Sequence, residues 1–275
     1  MIELYTHPMS PCAQKVRMLL ATKGLDWEAR HVDLPNKANL DPAYLALNPL
    51  GVVPTLVHDG QVVIESSIIC EYLEDSFPEP PQRPVDPHAR AQMRFWMKHV
   101  DNKLHPACGT LQWPMVMRPG LMAKSEQERQ ALLDKIPEKP RRERQKRLVA
   151  QGLDAPDVAD AVKVYRKIIE DMETALNNTT WLVSDDLSLA DLCVAPYFQT
   201  LYQFSWQALF SDCPRVTAWY SAMRERPEYQ AGVSADFSAE TLDTLQAAGS
   251  AVWHKLAAHL YLPRVQLSCL VTHEH

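Results

Sequence analysis

The sequence predicts an α/β domain followed by an all-α domain. Strand and helix patterns alternate over residues 1–77, whereas residues 88–232 carry almost only helical periodicity. Residues 78–87 contain five prolines, and because proline is disfavoured inside helices and strands, this segment is the expected interdomain linker. Residues 233–275 then form a C-terminal extension with one predicted helix.

The first domain begins with a strand over residues 2–5, where apolar and polar residues alternate. A helix is predicted over residues 11–23, because apolar residues recur at helical spacing and Gly24 provides a stop signal. Residues 27–32 are predicted to form a second short strand, and residues 42–47 a short helix.

A hairpin and a third helix complete the first domain. Residues 55–57 and 62–64 are predicted to pair, because Asp59-Gly60 between them is a strong turn signal. A helix is then predicted over residues 66–75. The strands therefore occur in a βαβ unit followed by a ββα unit.

The second domain is predicted to be a helical bundle. Apolar residues recur at helical spacing in two long segments, one with Met93, Trp96, Met97, Val100 and Leu104, the other with Val162, Tyr165, Ile168, Ile169, Met172 and Leu176. The extension keeps such a stripe as far as Leu260. Residues 263–275 have no clear pattern, and no regular element is predicted there.

The composition is that of an ordinary globular protein. Of 275 residues, 46% are apolar and 23% are charged, and a chain of this length can bury a sizeable core. The net charge of −6 argues against a general nucleic-acid binder. We interpret the basic run at residues 141–147 as a solvated helix face and expect no nucleic-acid partner.

Neither an export signal nor a long apolar stretch is found, which predicts a cytoplasmic protein with no membrane partner. The six cysteines lack C-x-x-C spacing and are expected to be reduced thiols. The histidines are scattered without the spacing of metal ligands, so no metal is predicted.

Ser10-Pro11-Cys12 lies where the first strand gives way to the first helix. Serine is a preferred N-cap and proline a preferred first helical residue, so local structure alone is one explanation of this pair. The other explanation is functional, because the Ser10 hydroxyl and the positive end of the helix together would stabilise a bound thiolate.

Residues 48–56 are a second candidate segment. A proline that opens a strand after a β-branched residue suits a cis Val53-Pro54 bond, which would present the Val53 amide and carbonyl to an extended peptide. A plain entry from a loop into a strand is the alternative.

Glu65 and Ser66 open the third helix. Free amides at a helix N-terminus bind anions, and a neighbouring carboxylate pairs with an ammonium group, so the two residues suit an α-amino-carboxylate end. A simple N-cap role for Ser66 is the alternative.

These three segments, in this order and spacing, resemble those of the cytosolic glutathione transferases over about residues 1–232. Ser10 matches that family's thiol-activating position, Val53-Pro54 its cis-proline segment and Glu65-Ser66 its γ-glutamyl site. The resemblance implies a thioredoxin-like N-terminal domain, a glutathione-transferase-type helical C-terminal domain and glutathione as co-substrate.

The resemblance also bears on four smaller assignments. Ser188 to Asp191 resembles the family's N-capping box, a folding signal without a catalytic role. Either Lys37 or Asn39 would meet the glycyl carboxylate of glutathione. Serine at position 10 favours transferase chemistry over thiol exchange. Cys12 is interpreted as a buried bystander thiol.

Within the family the resemblance is nearest to the bacterial lignin β-etherase group and to the Theta-like and Omega-like classes. It includes residues 63–75, the helix of Trp96 and a long insertion over residues 110–157. As a group, the aromatic and methionine residues here suit a pocket for a flat ligand, although any single one is more often part of a core. The residues assigned to this hydrophobic site are Met9, Trp113, Met115, Met117 and Tyr197.

The expected function is that of a glutathione transferase, which activates the glutathione thiolate for attack on a small, hydrophobic, aromatic electrophile. Cleavage of a β-aryl ether is one such reaction. The resemblance also implies a homodimer. A glutathione-dependent thiol or disulfide reductase that uses Cys12, and a non-catalytic glutathione-binding stress protein, are the alternatives.

Overall fold

A computed structural model describes residues 1–260 of the chain. A mixed sheet with helices comes first and a helical part follows, as the sequence predicts. Residues 77–86, which separate the two parts, form no helix or strand. Residues 263–275, for which no regular element is predicted, lie outside the described residues.

The N-terminal part is built on a four-stranded sheet in the order β2-β1-β3-β4. Its strands are β1 Ile2–Thr6, β2 Glu28–His31, β3 Thr55–His58 and β4 Gln61–Ile64. Strand β1 pairs in parallel with β2 and antiparallel with β3, which forms the predicted hairpin with β4. Its turn uses Asp59 and Gly60 at φ 48° and 82°, the left-handed conformation that a tight hairpin requires.

Three helices accompany this sheet, namely α1 Pro11–Thr22, α2 Pro42–Leu47 and α3 Ser66–Ser76. Helix α1 is buried along most of its length because it lies between the sheet and the helical part. Its buried cation Lys15 donates hydrogen bonds to Ser67 Oγ at 3.0 Å and to Asp101 Oδ1 at 2.9 Å. Since Asp101 belongs to the helical part, this contact connects α1 to both parts of the chain.

The helical part contains ten α-helices within residues 1–260. They are α4 Pro87–His99, α5 His105–Val116, α6 Arg118–Met122, α7 Glu126–Asp134, α8 Lys139–Gln151, α9 Asp157–Ala175, α10 Leu189–Gln203, α11 Pro214–Glu225, α12 Pro227–Gly232 and α13 Ala239–Ala257. A π-helical segment, Val100–Leu104, joins α4 to α5. Pro106, the second residue of α5, has no N–H and therefore donates no hydrogen bond to this segment.

Helix α10 is the most buried helix of this part, and the predicted capping box lies at its start. The carboxylate of Asp191 is completely buried. It accepts hydrogen bonds from the Leu182 and Ser188 amides at 2.9 and 3.2 Å. Trp219 Nε1 donates a further one at 2.9 Å. Asp191 therefore connects α10 to α11 and to the loop before α10.

The extension contains the predicted helix, α13, which packs against α10 and α9. A side chain at Gly249 would place its Cβ 2.0 Å from the Phe204 carbonyl oxygen, so only glycine permits this approach. Trp206 Nε1 donates to the Gly249 carbonyl at 3.0 Å. Among residues 1–260, no helix is both long and apolar enough to cross a bilayer.

Candidate active site

A pocket lies at the N-terminal end of α1, where the two parts of the chain meet. Its walls come from the segment before α1, from residues 51–53, and from α5 and α8. It brings together several residues that the sequence analysis singled out, namely Met9, Ser10, Lys37, Asn39, Val53, Trp113 and Met117.

Ser10 caps α1 and also faces the pocket. Its Oγ accepts a hydrogen bond from the Ala13 amide at 3.3 Å, and Pro11 occupies the first helical position. Because a capping serine accepts through a lone pair, its hydroxyl proton stays available to a ligand in the pocket. The structural and the functional explanations of Ser10-Pro11 are therefore compatible.

Cys12 lies beneath the pocket and is only 8% exposed. Its Sγ is 3.3 Å from His105 Nδ1 and 3.5 Å from the Tyr197 hydroxyl. Burial opposes its ionisation, but the charge of His105, the hydrogen bond to it and the charge of Lys15 lower the pKa of Cys12 to about 6. The thiolate in turn raises the pKa of His105.

Cys12 and His105 therefore form a pair within hydrogen-bonding distance, in which Cys12 is buried and His105 is exposed. His105 also lines the pocket, which the sequence analysis did not predict. The only local sign of this residue is its place at the start of a helix before a proline, a pattern that is common in purely structural caps.

Val53 lines the pocket and precedes Pro54 through a cis bond, as predicted. Within residues 1–260 its backbone N–H and C=O make no hydrogen bond. Asn48 and Tyr44 fix the preceding turn, because both donate to the Val52 carbonyl, at 3.0 and 2.6 Å. Since a buried backbone group needs a partner, the Val53 groups are free to pair with the backbone of a bound peptide.

The N-terminus of α3 is open. Glu65 precedes the helix and makes no capping hydrogen bond with its side chain, while Ser66 is 6% exposed. Glu65 has φ 70°, a strained conformation for a residue other than glycine. The register of β3 and β4 places residues 65–66 beside residues 53–54, although residues 65–66 do not line the pocket itself. The first amides of α3 remain available for an anion next to the Val53 backbone.

Lys37 and Asn39 have different surroundings. Asn39 Nδ2 donates to the Gly51 carbonyl at 2.8 Å, so its amide nitrogen is already engaged, while its Oδ1 has no partner among residues 1–260. Lys37 is 6% exposed, and its Nζ lies 4.5 Å from the centroid of the Trp113 ring. Burial, together with repulsion from Arg141, lowers the pKa of Lys37 to about 8. Lys37 keeps its charge at neutral pH, which makes it the stronger partner for a carboxylate.

Two of the five residues assigned to the hydrophobic site do not line the pocket. Tyr197 is completely buried, because α10 is packed on nearly all sides. Met115 packs against the main core, since a position two residues after Trp113 lies on a different face of α5. Met9 does line the pocket, and its carbonyl accepts a hydrogen bond from Gln112 Nε2 at 3.0 Å.

Helix α8 contributes two cations that we interpreted as part of a solvated face. Arg141 and Arg144 line the pocket instead, and Arg141 Nη2 donates to the Leu50 carbonyl at 2.8 Å. Residues three apart lie on one face of a helix, so the two guanidinium groups share a side of α8. Spacing alone does not separate them from the rest of the basic run, because Arg147 follows Arg144 at the same interval and does not line the pocket.

The chain matches two family models. Residues 9–76 match the model of the glutathione S-transferase N-terminal domain, and residues 112–227 match that of the C-terminal domain. Together these two segments cover more than half of the chain.

Individual relatives agree with these matches. Protein LigF from Sphingobium sp. is 30% identical over 82% of this chain and 90% of its own length. The crystal structure of the beta-etherase LigF from Sphingobium sp. strain SYK-6 superposes with a TM-score of 0.77 at 28% identity, and the match covers 84% of this chain and 98% of that one. Glutathione transferase F7 from Populus trichocarpa gives a TM-score of 0.68 at 25% identity over 86% of this chain and all of that one. This protein therefore belongs to the glutathione S-transferase family, with its thioredoxin-like N-terminal fold, its helical C-terminal fold and glutathione as co-substrate.

Proposed function

We propose that this transferase activates glutathione at Ser10 for attack on an apolar, aromatic electrophile. The observation that carries the proposal is the Ser10 hydroxyl, which faces the pocket at the N-terminus of α1 and keeps its proton free for a ligand. A hydroxyl donor and a helix N-terminus both stabilise a thiolate relative to a thiol. The bound thiol is therefore expected to ionise near neutral pH, below its ordinary pKa of about 8.5.

Glutathione would lie extended along Val53. Its backbone would pair with the free N–H and C=O groups of Val53, and its γ-glutamyl end would meet Glu65 and the open amides of α3 at Ser66. Lys37 would bind the glycyl carboxylate, because Asn39 already donates to Gly51. This arrangement leaves the sulfur atom next to Ser10.

In the reaction the thiolate forms a carbon–sulfur bond and a leaving group departs with its electron pair. With a β-aryl ether the carbon–oxygen bond breaks and a phenolate leaves, and with an aryl halide a halide leaves. The protein contributes by raising the thiolate population and by aligning the sulfur with the electrophilic carbon. The beta-etherase name of LigF supports the ether as one substrate class to test.

The proposal is tested with purified protein, glutathione and a panel that contains a β-aryl ether ketone, chlorodinitrobenzene and disulfides. We expect enzyme-dependent thioethers, identified by mass spectrometry, with release of phenol or chloride. Tight binding of glutathione without any thioether over the whole panel would instead favour a non-catalytic glutathione-binding protein.

The Cys12–His105 pair favours one alternative, a glutathione-dependent thiol or disulfide reductase. A thiol with a pKa near 6 would be ionised at neutral pH. However, Cys12 is nearly buried and does not line the pocket. A reductase would form a mixed disulfide between Cys12 and glutathione, which intact-protein mass spectrometry detects as an adduct. Loss of reductase activity in Cys12→Ala, with transferase activity retained, would establish that second activity.

Trp113 is expected to bind the aromatic ring of the second substrate. It is half-buried, lines the pocket and packs against Lys37. Replacing Trp113 with alanine should raise KM for a bulky aryl electrophile by roughly tenfold to hundredfold, because burying a ring contributes about 1.5–3 kcal/mol. KM for a small aliphatic electrophile should change much less.

Trp96 is a suitable control for this substitution, because it is also half-buried but does not line the pocket. Trp96→Ala should leave the ratio of the two KM values unchanged. If Trp113→Ala lowers the melting temperature and affects both electrophiles equally, Trp113 belongs to the core and not to the substrate site.

A homodimer is expected, with an interface formed by α3 and α4. Both helices expose a large apolar side chain, since Ile68 is 58% and Phe95 is 69% exposed. Sedimentation should give twice the chain mass of 31.2 kDa at micromolar concentration. Phe95→Asp should shift the protein toward the monomer, whereas a wild-type monomer would contradict the prediction.

We also propose a cytoplasmic location. In the part of the chain that the structure describes, the cysteines are all free thiols, namely Cys12, Cys70, Cys108, Cys193 and Cys213. Free thiols are typical of reducing compartments.

A further inference from the structure

Helix α8 carries two kinds of cation. On its outer side, Lys146 contacts Asp134 at 2.8 Å and Arg147 contacts Asp157 at 2.7 Å. Arg141 and Arg144 line the pocket, and neither forms a salt bridge within the part of the chain that the structure describes. The same helix thus pairs its outer cations with acids and leaves its pocket-facing cations unpaired.

The pocket has an excess of positive charge. Its lining contains Lys37, Arg141 and Arg144 but no aspartate or glutamate among the described residues. His7 adds no charge near neutral pH, because burial lowers its pKa to about 4. His105 lies within hydrogen-bonding distance of Cys12, whose charge raises the pKa of His105. Three cations therefore remain in the pocket without a salt bridge among residues 1–260, although the charge of Glu138, and at Arg144 also that of Asp157, partly offsets the effect of burial on the pKa of the two arginines.

Two of these cations have hydrogen-bond donors that no residue from 1 to 260 accepts. Lys37 is 6% exposed and makes no hydrogen bond through its ammonium group to any residue from 1 to 260. The Nε atom of Arg141 is buried and also lacks a partner in that range. Burial lowers the pKa of Lys37 and of both arginines, and buried charges are costly unless an anion pairs with them.

Glutathione does not supply enough negative charge for this pocket. In the proposed function, its γ-glutamyl carboxylate lies at the start of α3, outside the pocket lining. The glycyl carboxylate is then left for Lys37 and Arg141, whose mutual repulsion shows that they are neighbours, and the thiolate lies at Ser10. Arg144, one turn further along α8, has no counterion from glutathione.

We propose that the second substrate is an aromatic electrophile that carries a carboxylate, and that Arg144 determines this specificity. The planar guanidinium group accommodates a carboxylate through two parallel hydrogen bonds, and Trp113 on the same pocket provides a surface for the ring. This inference rests on the proposed transferase function, and it specifies in addition that the second substrate is negatively charged.

The test uses a matched pair of electrophiles. The two compounds are chlorodinitrobenzoate and the neutral chlorodinitrobenzamide. In each, the chlorine lies para to the carbonyl carbon and between the two nitro groups. Both react with glutathione by the same substitution. The glutathione thiolate forms a carbon–sulfur bond and chloride leaves. Each enzymatic kcat/KM is divided by the rate constant with free glutathione, so that differences in intrinsic reactivity cancel.

Wild-type protein should prefer the benzoate by at least about tenfold, and Arg144→Gln should remove most of that preference, since a charged hydrogen bond contributes a factor of roughly ten to a hundred. The comparison uses the ratio of the two electrophiles, so that an effect of the substitution common to both cancels. Arg147→Gln, which removes the same charge from the outer side of α8, should keep the preference. Added salt should also weaken the preference of the wild type, which provides a test without any substitution.

Equal normalised rates for the two electrophiles would overturn the charge specificity while leaving the transferase function in place. A preference that survives in Arg144→Gln, or that disappears equally in Arg147→Gln, would overturn the role of Arg144. If neither electrophile is conjugated, the proposed transferase function itself fails, and the specificity inference fails with it.

Discussion

Replacing Ser10 with alanine is expected to lower turnover of aryl electrophiles at neutral pH by about tenfold to hundredfold, with little change in the affinity for glutathione. A hydrogen bond to a charged group contributes roughly 1.5–3 kcal/mol, which corresponds to about one to two units in the pKa of the bound thiol. The contacts along Val53 and at the start of α3 remain intact. The pH dependence of kcat should show the loss shrinking in alkaline buffer, where ionisation no longer limits the rate.

The capping role of Ser10 needs its own control. An N-cap serine replaced by alanine costs about 0.5–2 kcal/mol of stability, whereas glycine in that position costs only a few tenths. Both Ser10→Ala and Ser10→Gly lack the hydroxyl, so both should lose turnover equally, but mainly the alanine variant should lose thermal stability. Normal turnover in Ser10→Gly would show that the hydroxyl has no part in activation.

Replacing Asp191 with alanine is expected to give the largest loss of stability, about 3–5 kcal/mol of the free energy of unfolding. The substitution leaves the Leu182 and Ser188 amides and the Trp219 indole N–H buried without an acceptor. Denaturant unfolding measures this loss. Asp186→Ala is a suitable control, because Asp186 is exposed and lies in the loop just before α10, and it should change stability by less than about 0.5 kcal/mol.

The effect of Asp191 should also depend on pH. Burial raises its pKa from 3.8 to about 6, although four hydrogen bonds act in the opposite direction. The folded state therefore holds this proton more tightly than the unfolded chain, so the contribution of Asp191 to stability decreases as the pH rises toward about 6. The loss in Asp191→Ala should be larger in mildly acidic buffer than above that pH. A loss that grows as the pH rises would contradict this assignment.

Features that depend on neighbouring residues could be predicted from the sequence. Ser10-Pro11 specified a helix start, Asp59-Gly60 a hairpin, and Ser188 with Asp191 a capping box, because in each case the residues that interact are a few positions apart. The sheet and the helical part follow from such local signals together with the run of prolines between them.

Features that depend on packing between distant helices could not be predicted. Periodicity shows that α10 has an apolar face, but not that it is enclosed on nearly every side, so Tyr197 was assigned to the pocket. His105 and Cys12 meet only because α5 packs against α1. Arg144 faces the pocket because of the way α8 lies over it, and a basic run in a sequence does not reveal that placement.

The most direct test of the account is the ionisation of glutathione bound to the wild-type protein. An ultraviolet difference titration of the thiolate, with Ser10→Gly measured beside it, reports the pKa of the bound thiol without any second substrate. We expect the wild-type value to lie one to two units below about 8.5, and the Ser10→Gly value to return most of the way toward it. Equal values in the two proteins would contradict the claim that Ser10 activates glutathione.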